Sequence, residues 1–191
     1  NEYSQALADA IADADAHGDL FVAAAGNDGN DNDSSPRYPA NIDLPNRKLL
    51  GKIKTPQPLA GITISGDGAT VTVVSDQEPV LFLIDTKTQK VRETVRLKEV
   101  AKPAQIARYS PDWRMLGVTS LNSDTVSLID ASFREQTAIK VGSQPMDMAY
   151  RGNELFVACQ GDGSVHVIDI SGKRWKQSFQ AGTGCESLGF F

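Results

Sequence analysis

The segment Pro103-Ala104-Gln105-Ile106-Ala107-Arg108-Tyr109-Ser110-Pro111-Asp112-Trp113 decides the fold, because two other segments of the chain align with it. Residues 58–68 (PLAGITISGDG) lie 45 positions earlier, and residues 145–153 (PMDMAYRGN) lie 42 positions later, with a one-residue gap. Recurrence at about 40 residues is the sequence signature of stacked structural repeats. Three copies of one structural unit are therefore predicted.

Each unit contains four short segments with β-strand character. The third segment ends in Ile-Asp at residues 84–85, 129–130 and 168–169, and the fourth is polar and alternating. Four short strands per unit, separated by turn residues, are typical of a β-propeller blade. We therefore predict a mainly β domain over residues 51–191. Its parts are blades at about 55–98, 99–141 and 142–181, and the start of a fourth at 182–191.

The repeat resembles the YVTN family of β-propeller repeats over residues 55–191. The resemblance is carried by Ser110-Pro111-Asp112-Trp113 and by the recurring Ile-Asp, while Gly66 stands where the family has Pro and Arg151-Gly152 where it has Ser-Pro. It implies a propeller fold, a distant relation to lactonase propellers, and an extracellular or periplasmic location. Propellers host unrelated activities, so no function follows from the fold alone.

Three blades and the start of a fourth do not make a closed ring, since propellers close at about four to eight blades. Unpaired strand edges and apolar faces favour pairing with another chain. We expect self-association, most simply a homodimer that pools its blades. The alternative is that the strand predicted at residues 19–25 covers one edge.

Residues 1–50 have a different pattern and predict a small α/β domain. A helical apolar stripe over residues 3–17 ends at Gly18, and the apolar run 20–25 (LFVAAA) predicts a strand buried in a parallel sheet. With Gly26-Asn27 and Tyr38-Pro39-Ala40, this order resembles the oxyanion-hole region of subtilisin-like serine proteases over residues 4–46. The resemblance implies that Asn27 is an oxyanion donor.

The rest of a subtilisin-like site is missing from the sequence. No aspartate motif or His-Gly motif precedes Asn27 and no Gly-Thr-Ser motif follows it, although a serine nucleophile needs a base and a carboxylate that orients the base. We therefore favour a chain without catalytic activity. A hydrolase remains the alternative, either a serine peptidase or esterase remnant that uses Asn27, or a lactonase-like propeller.

Acidic residues form two groups. Asp28, Asp31 and Asp33 are weak candidate ligands for Ca²⁺, which prefers oxygen donors, but their loop lacks EF-hand spacing and a solvated turn is favoured. No other cofactor is predicted. The second group recurs at equivalent blade positions and is predicted to cap turns through backbone amides. Its members are Asp67, Asp85, Asp112, Asp130 and Asp169.

A few residues interrupt the repeat and are better functional candidates. Arg108, Asp147 and Glu186 are irregular charges on the predicted first strands, where a lactonase-like metal site would need carboxylates to converge. Ser187 and Cys185 flank Glu186 in a nucleophile-like cluster without a neighbouring histidine. His166 alternates with valines and is predicted to lie at the surface.

Composition excludes two classes of partner. A net charge of −5 argues against nucleic acid, which requires a basic surface. The longest apolar run, residues 20–25, is too short for a membrane-spanning helix. Two cysteines are too few for a disulfide scaffold. The sequence favours a non-catalytic binding or scaffold module, completed by self-association or bound to a protein partner.

Overall fold

The computed structural model describes residues 22–23, 40–43, 48–101 and 103–189, with side chains from residue 52 onward. The chain forms two compact units, residues 1–56 and 57–191. In the described residues no helix has the length and apolar character needed to cross a membrane.

The first unit contains a three-stranded antiparallel sheet with the order β1-β2-β3. Its strands are β1 (Val22–Ala23), β2 (Ala40–Asp43) and β3 (Lys48–Lys52). The expected parallel sheet is wrong for these strands. Residues 44–47 alone connect β2 to β3, whereas parallel neighbours need a crossover of about a dozen residues. The helix predicted at 3–17 and the loop with Asn27, Asp28, Asp31 and Asp33 lie outside the described residues.

The second unit contains three four-stranded antiparallel sheets, each built from consecutive strands. They confirm the mainly β fold and the three predicted blades, and are called blades 1, 2 and 3. Blade 1 consists of β4 (Leu59–Ile64), β5 (Thr70–Ser75), β6 (Val80–Asp85) and β7 (Lys90–Arg96). Blade 2 consists of β8 (Ala107–Tyr109), β9 (Met115–Ser120), β10 (Thr125–Asp130) and β11 (Gln136–Lys140). Blade 3 consists of β12 (Pro145–Arg151), β13 (Glu154–Cys159), β14 (Ser164–Asp169) and β15 (Arg174–Gln180).

Apolar side chains join successive blades in two clusters. The first cluster contains Leu81, Leu83 and Val95 of blade 1 and Leu116 and Val118 of blade 2. The second contains the following residues of blades 2 and 3: Val126, Leu128, Ile139, Met148, Leu155, Val157, Cys159 and Ile168. We call the face of a blade that lies toward the next blade its forward face. Burial of these side chains removes apolar surface from water and holds the blades together.

Burial falls from the middle strands to the outer strand of a blade. All six residues of β5 are buried, and the strand has a neighbouring strand on each side. All seven residues of β15 are exposed. The outermost strand of blade 3 is therefore the least covered strand of the second unit.

The expected first strand of a fourth blade is not formed in the described residues. Residues 182–189 follow blade 3 without strand structure. A β-strand is stabilised by backbone hydrogen bonds to a neighbour, and no second strand of a fourth blade pairs with this segment in the part described. The alignment with blade 3 predicted the place of the segment but not its conformation.

Candidate binding site on the first strands

The recurrent aspartates cap turns, as the repeat predicts. Asp67 Oδ1 accepts hydrogen bonds from the Ser65 hydroxyl at 2.6 Å and from the Ala69 N–H at 3.0 Å. Asp112 accepts the equivalent bonds from Ser110 at 2.6 Å and from the Arg114 N–H at 3.2 Å. The serine bond, followed by the backbone bond, lowers the pKa of both carboxyls below its ordinary value.

The turns before the outer strands are capped in the same way. Asp85 accepts from the Thr88 N–H at 2.7 Å, and this bond lowers the pKa of the Asp85 carboxyl. Asp130 accepts from the Glu135 N–H at 2.7 Å, and Asp169 from the Gly172 N–H at 3.1 Å. These carboxylates are already used to satisfy backbone amides and side-chain donors, which accounts for their recurrence as structural.

Two charges that interrupt the repeat are brought together. Arg108 on β8 places Nη2 2.9 Å from Oδ1 of Asp147 on β12. The Asp147 side chain is only 6% exposed, whereas that of Arg108 is 50% exposed. The equivalent positions carry uncharged residues: Thr63 and Ala149 for Arg108 by strand register, and Ala60, Gln105 and Ser187 for Asp147 by sequence. The ion pair is therefore specific to the junction of blades 2 and 3.

The second oxygen of Asp147 holds the segment that follows blade 3. Oδ2 accepts hydrogen bonds from the Leu188 N–H at 3.1 Å and from the Ser187 hydroxyl at 3.3 Å. A buried carboxylate is costly unless it is paired and hydrogen-bonded. Oδ2 of Asp147 accepts two hydrogen bonds, whereas the buried Oδ1 is compensated only by its ion pair with Arg108 and accepts no hydrogen bond from the described residues. Asp147 therefore connects β8, β12 and residues 187–188. The sequence marked Asp147 as a charge that interrupts the repeat, but it did not predict these contacts.

The nucleophile-like cluster does not meet a histidine. The Ser187 hydroxyl donates to Asp147 rather than to an imidazole, and Glu186 bonds to the side-chain amide of Gln160. His166 is partly buried, against expectation; its Nδ1 accepts the Trp175 Nε1–H at 3.2 Å, and burial lowers the pKa of its imidazole. In the part of the chain that the structure describes, no group of three or more metal-ligating side chains occurs.

Trp113 explains one departure from the repeat pattern. A Cβ at Gly66 would lie 2.4 Å from the indole of Trp113, so only glycine leaves room for the ring. Trp113 has φ +61°, and Gly68 of blade 1 occupies the equivalent left-handed position. Such a conformation costs about 1–3 kcal/mol in a bulky residue. The indole is 48% exposed and lies 5.9 Å from the Tyr109 ring.

An open groove of about 640 Å³ lies on blade 3. Four of its five charged side chains pair with one another: Lys176 with Glu154, and Arg174 with Asp169 at 3.5 Å. With most of its charges paired in this way, the groove lacks the concentrated charge that would define a ligand class.

Solved structures of other proteins share this architecture. The chain is 29% identical to hydrazine synthase from Kuenenia stuttgartiensis over 69% of this chain and 39% of that one, with a TM-score of 0.59. It is 16% identical to the β-propeller domain of Cps50 (Swd1) from Myceliophteria thermophila, over 78% of this chain and 50% of that one, with a TM-score of 0.62. The WD40 repeats of RRP9 match 66% of this chain and 40% of their own at 10% identity, with a TM-score of 0.59.

The chain spans half or less of the length of each of these proteins. No family model matches the sequence, and no curated protein matches it. The YVTN and subtilisin-like resemblances therefore stay predictions. The similarity in fold, together with three consecutive four-stranded blades, shows that residues 57–189 form part of a β-propeller.

Proposed function

We propose that this chain is a non-catalytic binding or scaffold module of the β-propeller type that is completed by self-association. The observation that carries the proposal is the exposure of Phe179 on β15. Phe179 is 49% exposed, although large apolar side chains at this position in the other blades are buried. An exposed aromatic side chain at a blade-packing position favours contact with another sheet.

The equivalence of these positions follows from strand register. Phe179 lies opposite Val165, as Val95 lies opposite Leu81 in blade 1. Ile139 lies opposite Val126 in blade 2. Val95 is 6% exposed and Ile139 is 7% exposed, and each packs in the cluster that joins its blade to the next. Phe179 is therefore the outer apolar position of a forward face.

The inner part of the same face is already covered. Ala158, Val165 and Val167 of blade 3 are buried. In blade 3 the outer strand is thus exposed, whereas the apolar side chains of the strands behind it are buried. A partner sheet would add contacts mainly at β15, which predicts a weak, concentration-dependent assembly rather than an obligate one.

A second exposed aromatic residue supports protein binding. Trp113 is fixed on one side by Tyr109 and the backbone of Gly66, while nearly half of its indole is exposed. Tyr109 is itself held by a contact of 3.2 Å between its hydroxyl and that of Thr72. Rigid, half-exposed tryptophan and tyrosine side chains are typical anchors of protein interfaces.

Sedimentation velocity over a concentration series tests self-association. We expect a dimer at high protein concentration, and we expect Phe179→Ser to raise its dissociation constant about tenfold, since an interface anchor contributes on the order of 1–2 kcal/mol. Trp175→Ser is the matched control. Trp175 lies on the same strand with the same exposed fraction, but it lies opposite Ile168, which packs in the cluster between blades 2 and 3 and not on the forward face of blade 3. A wild-type chain that stays monomeric at every concentration would contradict self-association.

The hydrolase alternative rests on the sequence resemblance of Asn27 and on the distant relation to lactonase propellers. A fluorophosphonate probe and a panel of activated esters and lactones test it. We expect neither labelling nor turnover. Covalent labelling of one serine, lost when that serine is replaced by alanine, would reject the scaffold function.

A further inference from the structure

We infer that Arg108 is an anchor for a single carboxylate of a protein partner. The inference rests on the proposed binding function and names the chemistry that the partner presents. The positions that match Arg108 in strand register in blades 1 and 3 carry Thr63 and Ala149, so the blade fold itself does not call for a cation here. A charge that departs from a structural repeat is a candidate for function.

The guanidinium of Arg108 keeps most of its donors for other acceptors. In the described residues its ion pair with Asp147 engages Nη2, and the side chain is half exposed. Arginine has five N–H donors in a planar fork, which matches the two oxygens of a carboxylate. The donors on Nε and Nη1 remain for a ligand at the exposed side.

Asp147 keeps the guanidinium in place. Its carboxylate is buried and accepts from the Leu188 N–H and the Ser187 hydroxyl, so an incoming carboxylate does not readily displace it. A side chain that is held before binding loses less conformational entropy on binding. Asp147 is therefore a positioning residue, and Arg108 is the residue that contacts the ligand.

The location of Arg108 suits a partner that inserts a side chain or a chain end. Arg108 lies on β8, the first strand of the middle blade, and first strands border the central channel in propellers. The net charge of −5 disfavours a polyanion such as nucleic acid, because its repulsion grows with each added negative charge. A single carboxylate, from an acidic side chain or a C-terminus, can reach a first strand and adds only one negative charge.

The test is an amide NMR titration of the whole chain with sodium acetate, at constant ionic strength set by sodium chloride. We expect saturable shifts confined to the amides of β8 and β12. Arg108→Lys keeps a cation for Asp147 but lacks the planar fork, and we expect about tenfold weaker acetate binding. Arg114→Lys, in the same blade, is the matched control and should bind acetate like the wild type.

Two results would overturn the inference. One is the absence of a saturable shift in the wild type; the other is a folded Arg108→Lys variant with wild-type acetate affinity. Sedimentation of the same variants separates this inference from the proposed function. Arg108→Lys should self-associate like the wild type. A wild-type chain that dimerises but does not bind acetate rejects the carboxylate site alone. A monomeric wild type that still binds acetate at Arg108 rejects self-association alone.

Discussion

The outer strands of blades 1 and 3 share one pairing pattern but have different surroundings. Val95 on β7 is buried in the cluster that joins blade 1 to blade 2, whereas Phe179 at the equivalent position of β15 is half exposed. The repeat thus encodes a forward face in every blade, whether or not another blade covers it. The difference teaches that local sequence specifies the structure of a blade, and that neighbouring blades determine which of its apolar side chains are buried.

The largest expected effect comes from truncating an apolar side chain that is buried between two blades. Leu81→Ala removes a fully buried side chain next to Val95, and we expect it to lower the free energy of unfolding by about 2–5 kcal/mol. Phe179→Ala should change it by less than about 0.5 kcal/mol in dilute protein, where β15 is exposed. Urea denaturation of both variants measures the contrast. Equal losses would mean that β15 is covered in solution.

The next largest effect tests the junction beyond blade 3. Asp147→Ala leaves the Leu188 N–H without its acceptor and the Arg108 guanidinium without its ion-pair partner, and we expect a loss of about 1–3 kcal/mol. Urea denaturation measures the loss. An Asp147→Ala variant as stable as the wild type would show that this junction contributes nothing.

A smaller effect sharpens the contrast at the junction of blades 1 and 2. Gly66→Ala places a methyl group against the indole of Trp113, and we expect a loss of about 1–2 kcal/mol. In a Trp113→Gly background the same substitution should cost much less, because the ring is absent and the left-handed turn accepts glycine. A double-mutant cycle by thermal unfolding measures this coupling. Additive losses would contradict a direct contact.

The smallest effect should be the same in both regions. Asp85 and Asp169 cap the turns before β7 and β15, and hydrogen bonds from the Thr88 N–H and the Gly172 N–H, respectively, are the leading causes of their lowered pKa values. A carboxyl whose pKa is lower in the folded chain stabilises it above the unfolded value near 3.8, and this contribution is lost as pH falls through the folded value. Asp85→Asn and Asp169→Asn should each flatten the acid-unfolding profile slightly, as followed by circular dichroism. A clear difference between the acid-unfolding profiles of the two variants would show that the stability of the turn depends on whether another blade covers the adjacent outer strand.

Much of the fold was predictable because strand pattern and turn chemistry recur within each unit. The Ile-Asp ends, the turn aspartates and the fourfold strand order depend on residues close in sequence, and the structure confirms them. The first unit was less predictable. Strands β2 and β3 were missed, and the apolar run containing β1 was expected in a parallel sheet, because strand direction depends on a partner that periodicity does not identify.

The candidate site was predicted only in part. The irregular charges Arg108 and Asp147 stood out from the repeat, but their pairing depends on how two blades pack, which no local pattern encodes. The departure at Gly66 was visible as well, while its cause, the ring of Trp113, lies in the next blade. Contacts between blades therefore depend on how the blades pack, which the pattern within one repeat does not predict.

The bond between Trp175 and His166 gives the exposed strand a reporter. Nδ1 of His166 accepts the indole N–H only while the imidazole is neutral there, since a protonated ring has two donors and no acceptor. Burial lowers the pKa of His166, so this bond persists to a pH below the usual range of histidine titration. Acidification therefore alters the surroundings of an indole on β15 itself, and intrinsic fluorescence can follow this strand without any attached dye.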